Sequence, residues 1–169
     1  MPLSMYQAAI PPLLRGLANL SVILDKALLN AEARKFDAAV LLQARLAPDM
    51  FPFIRQVQIA ADTAKGCGAR LAGVENPAFA DNETSFDELQ QRIAKTVLFL
   101  QGLQPAQFDG SEERDIVLKF PHQTLNFRGQ DYLQSFVLPN FYFHLTTGYD
   151  ILRHNGVPLG KADYLGGGG

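Results

Sequence analysis

The stretch FYFHLTTGYDILRHNGVPLGKADYLG, Phe141–Gly166, decides the fold. Phe141, Ile151 and Leu152 fall at helical spacing, Asn155 and Gly156 read as a C-terminal cap, and Pro158 stands just beyond, where a helix cannot continue. Leu133 and Val137 lie upstream on the same side, so the pattern predicts one helix from about Asp131 to His154. Walking its stripe in steps of three and four gives Leu133, Val137, Asn140, His144, Gly148 and Ile151. Asn140 and His144 therefore share the apolar face, one turn apart. A buried polar side chain without a partner costs about 1–3 kcal/mol, so this face must meet polar groups, water or a ligand. Beyond the helix, Val157, Leu159, Tyr164 and Leu165 are expected to dock on the protein surface, within the chain or across a two-fold interface.

The preceding segments supply three more helices and a hairpin. DIVLKFPHQTLNFRGQ alternates apolar residues on either side of Pro121 and His122, as two short strands do. Before it, Ser85 followed by Glu88 forms a capping box that opens a third helix. Its core face is Leu89, Ile93, Val97 and Leu100, and its end is QGLQPAQFDGS. The turn-rich VENPAFADNETS precedes that start as a loop. Asp37 can cap AAVLLQARL, and the pattern resumes past Pro48 and Pro52 in FIRQVQIAADTAKGCGARLAG, which predicts a long, bent second helix. Its later face, Ile54, Val57, Ala61, Ala64 and Gly68, becomes small and admits a close neighbour. The first helix carries Ile10, Leu13, Leu14, Leu17, Leu20, Ile23, Leu24 and Leu28 on one stripe, with a kink expected at Pro11 and Pro12. Burying four such stripes predicts an all-α fold, a four-helix bundle with a small β-hairpin before the last helix, as one domain over residues 1–169. The terminal GGGG is expected to fray.

Composition narrows the function classes. A chain of 169 residues with 47% hydrophobic content can bury one substantial core. Charged residues make up 19% and the formal net charge is -2, so no basic field exists to attract nucleic acid or anionic lipid. Arg15, Asp25 and Lys26 interrupt the longest apolar candidate, which leaves it short of the roughly 20 residues that a bilayer span needs. Cys67 is the only cysteine, and MPLSMYQAAIPPLLRGL has no basic start, unbroken apolar core or cleavage site, so a cytoplasmic setting is expected. The chain has no GxGxxG, P-loop, GxSxG or paired-cysteine zinc pattern, which removes most nucleotide-dependent chemistry.

The same helical walk along the start of the second helix gives Leu42, Arg45, Asp49, Phe53 and Gln56. Two readings follow. In one, Arg45 pairs with Asp49 and His144 bonds a carbonyl or hydroxyl, as a structural network. In the other, the second and fourth helices enclose a pocket. Arg45 then holds an anionic group, Asp49 orients it or the imidazole, His144 acts as base or ligand, and Asn140 and Gln56 complete the binding set. His122 reads as an exposed turn residue or as a second metal ligand, and His154 as a cation favoured in a last helical turn. Cys67 lies among Ala64, Gly66 and Gly68 as a packing residue.

The combination of ARLAPDMFPFIRQVQIAADTAKG, FDELQQRIAKT and NFYFHLTTGYDILRHNGVPLGKADYLG resembles the DUF1993 family of uncharacterised bacterial proteins over nearly the whole chain. That family is related to the DinB and YfiT-like superfamily. The resemblance implies a four-helix bundle, often dimeric, with a metal site of three histidines between helices, and some superfamily members are thiol-dependent transferases or isomerases. The implied functions are therefore a small-molecule binder or degenerate metalloenzyme, a homodimeric structural or interaction protein, and a transferase using an exogenous thiol. The chain departs from the metal pattern. The HxxxH spacing from His144 reaches Gly148, no histidine precedes His122, and Asp49 is the nearest candidate ligand on the second helix. Zinc or nickel generally needs three good protein ligands, so the expectation is at most substoichiometric metal, with His144 hydrogen-bonded among Asp49, Arg45 or Asn140.

Overall fold

The first helix is started by a reciprocal cap. In a computed structural model, which describes residues 3–167, the Ser4 hydroxyl accepts from the Gln7 amide and the Gln7 side chain accepts from Ser4 N–H, both at 3.1 Å. Helix α1 then runs Met5–Arg34 and ends on Lys35 in the left-handed conformation, φ 58°. Neither Pro11 nor Pro12 breaks it, although each deprives a carbonyl one turn back, on Gln7 and Ala8, of its helical donor. Its length and a mean hydropathy of 1.2 over 18 residues would let α1 cross a bilayer by composition alone. Its stripe of Ile10, Leu13, Leu17, Leu20, Ile23 and Leu24 is instead buried inside the protein. The expected fraying of the terminal glycines falls partly on residues 168 and 169, outside the described residues.

The long, bent second helix is not observed. Asp37 does cap, accepting from the Ala39 amide at 2.9 Å, but it opens only the short helix α2, Ala39–Gln43. Residues 44–52 are non-helical, and α3, Phe53–Ala72, begins after Pro52. The physical cause is the backbone: proline lacks a donor, and the residue before it is driven out of the helical region. The loop is closed by Phe53 N–H donating to Ala44 C=O at 2.8 Å.

Helix α4, Phe86–Gln101, starts where expected. The Ser85 hydroxyl accepts from the Glu88 amide at 3.2 Å, while the Glu88 carboxylate turns to the Thr84 hydroxyl at 3.0 Å instead of completing the box. Two 3-10 turns, Pro105–Phe108 and Ser111–Glu113, lead into β1, Asp115–Phe120, which pairs antiparallel with β2, Gln123–Arg128, around Pro121 and His122. Ile116 and Leu118 point into the core. The backbone at Gly129 packs directly on that of Ser111, since a Cβ there would lie 1.8 Å from the Ser111 carbonyl oxygen.

From Gly129 the chain is helical but not uniform: α5, Gly129–Asp131, is followed by a π-helical stretch, Tyr132–Val137, and then by α6, Leu138–His154. Pro139 lies at that junction; it offers no N–H to the Ser135 carbonyl and crowds it, so the ordinary α register cannot be kept there. The end is the expected one. Gly156, φ 88°, donates to Arg153 C=O and Val157 donates to Leu152 C=O, both at 3.1 Å. The tail forms α7, Lys161–Leu165, and docks on α1 of its own chain through Arg15, Asn19 and Lys26.

Among the described residues the molecule is thus mostly helical, with seven α-helices and one hairpin in place of the expected four helices and hairpin. Among the long ones, α1 and α3 each pack against both α4 and α6, and the core lies between them. Gly68 allows the close approach expected of it: a Cβ there would meet Leu100 at 2.6 Å and Leu103 at 2.8 Å.

Candidate functional site

The polar face of α6 meets α3. The two helices run antiparallel, so Gln56 faces His144, Thr63 faces Asn140, and Gly148 lies beside Phe53, where a Cβ would sit 3.5 Å from the ring. The Gln56 amide nitrogen donates to the Phe51 carbonyl at 2.9 Å. A carbonyl can only accept, so this bond fixes which end of the amide is which. Gln56 Oε1 therefore faces His144 Nδ1 at 2.7 Å, and Nδ1 must carry the proton. The lone pair is left on Nε2, which has no partner among the described hydrogen bonds of the chain. Burial, and then the nearby Arg55 guanidinium, push the His144 pKa below its ordinary value, so the imidazole is neutral at pH 7.

The imidazole is itself buried, 8% exposed. Phe143 meets it edge-on with ring centroids 5.1 Å apart and is itself 55% exposed, as is Phe51. The Arg55 guanidinium lies 5.7 Å from the centre of the Phe51 ring. The α3–α6 seam thus presents two exposed aromatic rings, an arginine and an oriented neutral histidine.

Two expected members do not belong to it. Arg45 and Asp49 lie in the non-helical loop, both exposed, because Pro48 and Pro52 end the helical spacing that would have put them beside His144. The Arg45 guanidinium donates instead to the carbonyls of Met50, at 3.1 Å, and Pro48, at 3.4 Å. Asn140 donates to the Thr63 hydroxyl at 2.8 Å. His122 is exposed in the hairpin turn and His154 is exposed in the last turn of α6, both away from His144. Cys67 is fully buried, and burial pushes its thiol up to about 12 in spite of Arg70, so it is protonated at neutral pH.

The superfamily's metal can be tested against these donors. They comprise one imidazole, one amide and, one turn along α6, a glycine facing a phenyl ring. Among the described residues no three of His, Cys, Asp and Glu are placed so that they could hold a metal ion. That set does not fit a zinc or nickel centre.

A second polar assembly escaped the sequence reading. Arg92 of α4 is only 2% exposed, and its guanidinium reaches Asp62 of α3 at 2.9 Å and Asp81 and Glu83 of the α3–α4 loop at 2.8 Å each. It also donates to Ala80 C=O at 3.0 Å. Arg55 bonds Asp81 at 2.6 Å, and Gln58 bonds Glu83 at 2.8 Å. This is a latch that pins the loop to both helices. Its signal was present in the sequence: Arg92 and Thr96 continue the inner stripe of Leu89, Ile93 and Leu100, after a loop that holds three carboxylates, Glu75, Asp81 and Glu83.

The crystal structure of a DinB family member protein from Shewanella denitrificans is 44% identical and superposes with a TM-score of 0.90, over 97% of this chain and 93% of that one. No functionally curated protein matches the chain. The model of DUF1993, a domain of unknown function, matches residues 5–165, and the chain belongs to that family.

Proposed function

We propose that the protein binds a small molecule over the α3–α6 seam, with His144 as its hydrogen-bond acceptor and the four long helices acting as a bundle-like scaffold. The observation that carries this reading is the relay from the Phe51 carbonyl through Gln56 to His144. It holds a neutral imidazole in one tautomer and leaves Nε2 free to accept. Proteins use the same arrangement to orient a histidine for an external partner. Phe51 and Phe143 would contact the apolar body of the ligand, and Arg55 favours an electron-rich one. The residues around His144 supply no metal-based step.

A rival reading, in which the polar seam only sets helix register, is favoured by the Asn140–Thr63 bond, which needs no ligand. Thiol transfer would require an exogenous thiol, since buried Cys67 supplies no thiolate.

Fragment screening by imidazole-edited NMR, on protein lacking a histidine tag, separates these readings. Binding predicts fragments that move the His144 Nε2 resonance and that are lost in a folded His144→Ala variant. If no fragment moves that resonance while His144→Ala only lowers the melting temperature, the register reading replaces this one.

A further inference from the structure

We infer that the cleft between α1, α6 and α7 is a second ligand site, which takes a small organic monocarboxylate with an apolar or aromatic body. It lies on the α1 side of α6, whereas His144 faces α3, and it does not depend on the reading of that histidine.

The cleft has a volume of about 580 Å3, within the range of small-molecule sites. Among the described residues Arg15 is the only charged one that lines it. Three other clefts each carry two carboxylates: Asp109 and Glu112, Glu83 and Glu88, Asp37 and Asp87. In a chain with net charge -2, this cleft alone among those four offers an anion an unopposed cation.

The cation is also held in place. Arg15 Nε and Nη2 both donate to the Leu165 carbonyl, at 3.2 and 2.9 Å, while Nη1 has no hydrogen-bond partner and Arg15 no ion pair among the described residues. Arg15 is exposed, so Nη1 is an oriented, water-facing donor that an anionic ligand can take up. Beside it, burial, then Tyr164, raise the Tyr142 hydroxyl and Arg15 lowers it; the net shift is upward, so the phenol stays protonated and can donate to the same anion. Pro11, Pro12, Leu145 and Leu165 provide the apolar wall. Pro11 also leaves the carbonyl of Gln7, a residue that lines the cleft, without its helical donor.

The wall formed by the tail is built before any ligand arrives. Asn19 donates to the Tyr164 carbonyl at 2.8 Å, Thr146 to the Tyr164 hydroxyl at 3.0 Å, and Lys26 pairs with Asp163 at 2.5 Å. A preformed wall avoids the ordering cost of closing one on the ligand.

The test is an NMR titration of the full chain with 4-hydroxyphenylacetate, with 4-hydroxyphenylacetamide as its uncharged counterpart. The expected result is saturable shifts at residues 11–19, 142–146 and 164–165, with the amide about tenfold or more weaker and a similar loss for the acid in Arg15→Gln. Tyr142→Phe, which leaves the Arg15–Leu165 bonds intact, should weaken the acid about threefold or more. Should Arg15→Gln loosen the tail, the acid-against-amide comparison on the unmodified protein decides. Equal affinity for acid and amide, shifts centred elsewhere, or failure of the acid to saturate would each overturn the proposal.

Discussion

Replacing Arg92 with methionine removes the guanidinium that joins α3, α4 and their connecting loop. The magnitude follows from the exposure of the three carboxylates that lose it. The Asp62 and Asp81 side chains are 40% and 39% exposed, so water replaces the lost partner and each contributes about 0–1 kcal/mol. Glu83 is different: its side chain is 9% exposed and keeps only the Gln58 amide, at 2.8 Å, as a side-chain donor. Stranding a carboxylate at such a site costs about 3–5 kcal/mol where burial is complete, so about 3–4 kcal/mol is expected in all. At roughly 2–4 °C per kcal/mol for a chain of this size, the melting temperature should fall by roughly 6–16 °C. Urea unfolding followed by circular dichroism gives the free energy, and amide hydrogen exchange shows whether residues 77–85 open before the rest. Glu83→Gln, which keeps a polar partner for Gln58 and leaves Arg92 two carboxylates, should cost clearly less. A loss below about 1 kcal/mol in Arg92→Met, with loop amides as protected as before, would refute the assignment of the latch. Its pH dependence has a definite sign. Burial alone would raise the Asp81 and Glu83 carboxyls. Hydrogen bonds from Arg55 to Asp81, and from Arg92 and Gln58 to Glu83, together with the arginine charges, outweigh it and hold both below their ordinary values. The unfolded carboxyls titrate near about pH 4, so the stabilisation is complete above that and disappears as the pH falls through the lower folded values.

His144 should titrate below the ordinary histidine range in an NMR pH series, and Arg55→Gln should raise its midpoint. The lowered folded value means that its stabilising contribution is present above about pH 6.5 and is lost as the pH falls through the folded value. Gly129→Ala should destabilise by about 3 kcal/mol or more in urea unfolding, because its Cβ would meet the Ser111 backbone, which cannot rotate away. Cys67 should resist an aromatic disulfide reagent in the native protein and react only at the rate of unfolding, a consequence of full burial and a thiol pushed up to about 12.

The features legible in the sequence are those that neighbouring residues settle among themselves. Ser85 and Glu88 lie three residues apart on one chain, and the cap donors and acceptors around Asn155 and Gly156 lie three to five apart, so the start of α4 and the end of α6 follow from local chemistry. The hairpin around Pro121 and His122 is equally local. The second helix failed for a related reason. Its side-chain periodicity runs on across Pro48 and Pro52, but proline acts on backbone donors and dihedral angles, which periodicity does not register, and Arg45 and Asp49 left the site with the broken turn. Pro139 likewise accompanies a π-helical stretch that the apolar spacing of Leu133 and Val137 does not reveal.

The inward face of His144 and Asn140, and Gln56 as a polar residue on a core stripe, were determined by the sequence alone, since helical spacing specifies which side chains share a face. Only the tertiary structure decided who meets whom. Gln56 and His144 are 88 positions apart and Arg15 and Leu165 are 150 apart, and each pair depends on how two helices cross and slide. Those offsets come from the summed packing of many apolar contacts, among them Gly16 against Phe141 and Gly68 against Leu100, and no single polar residue carries that information in its own neighbourhood.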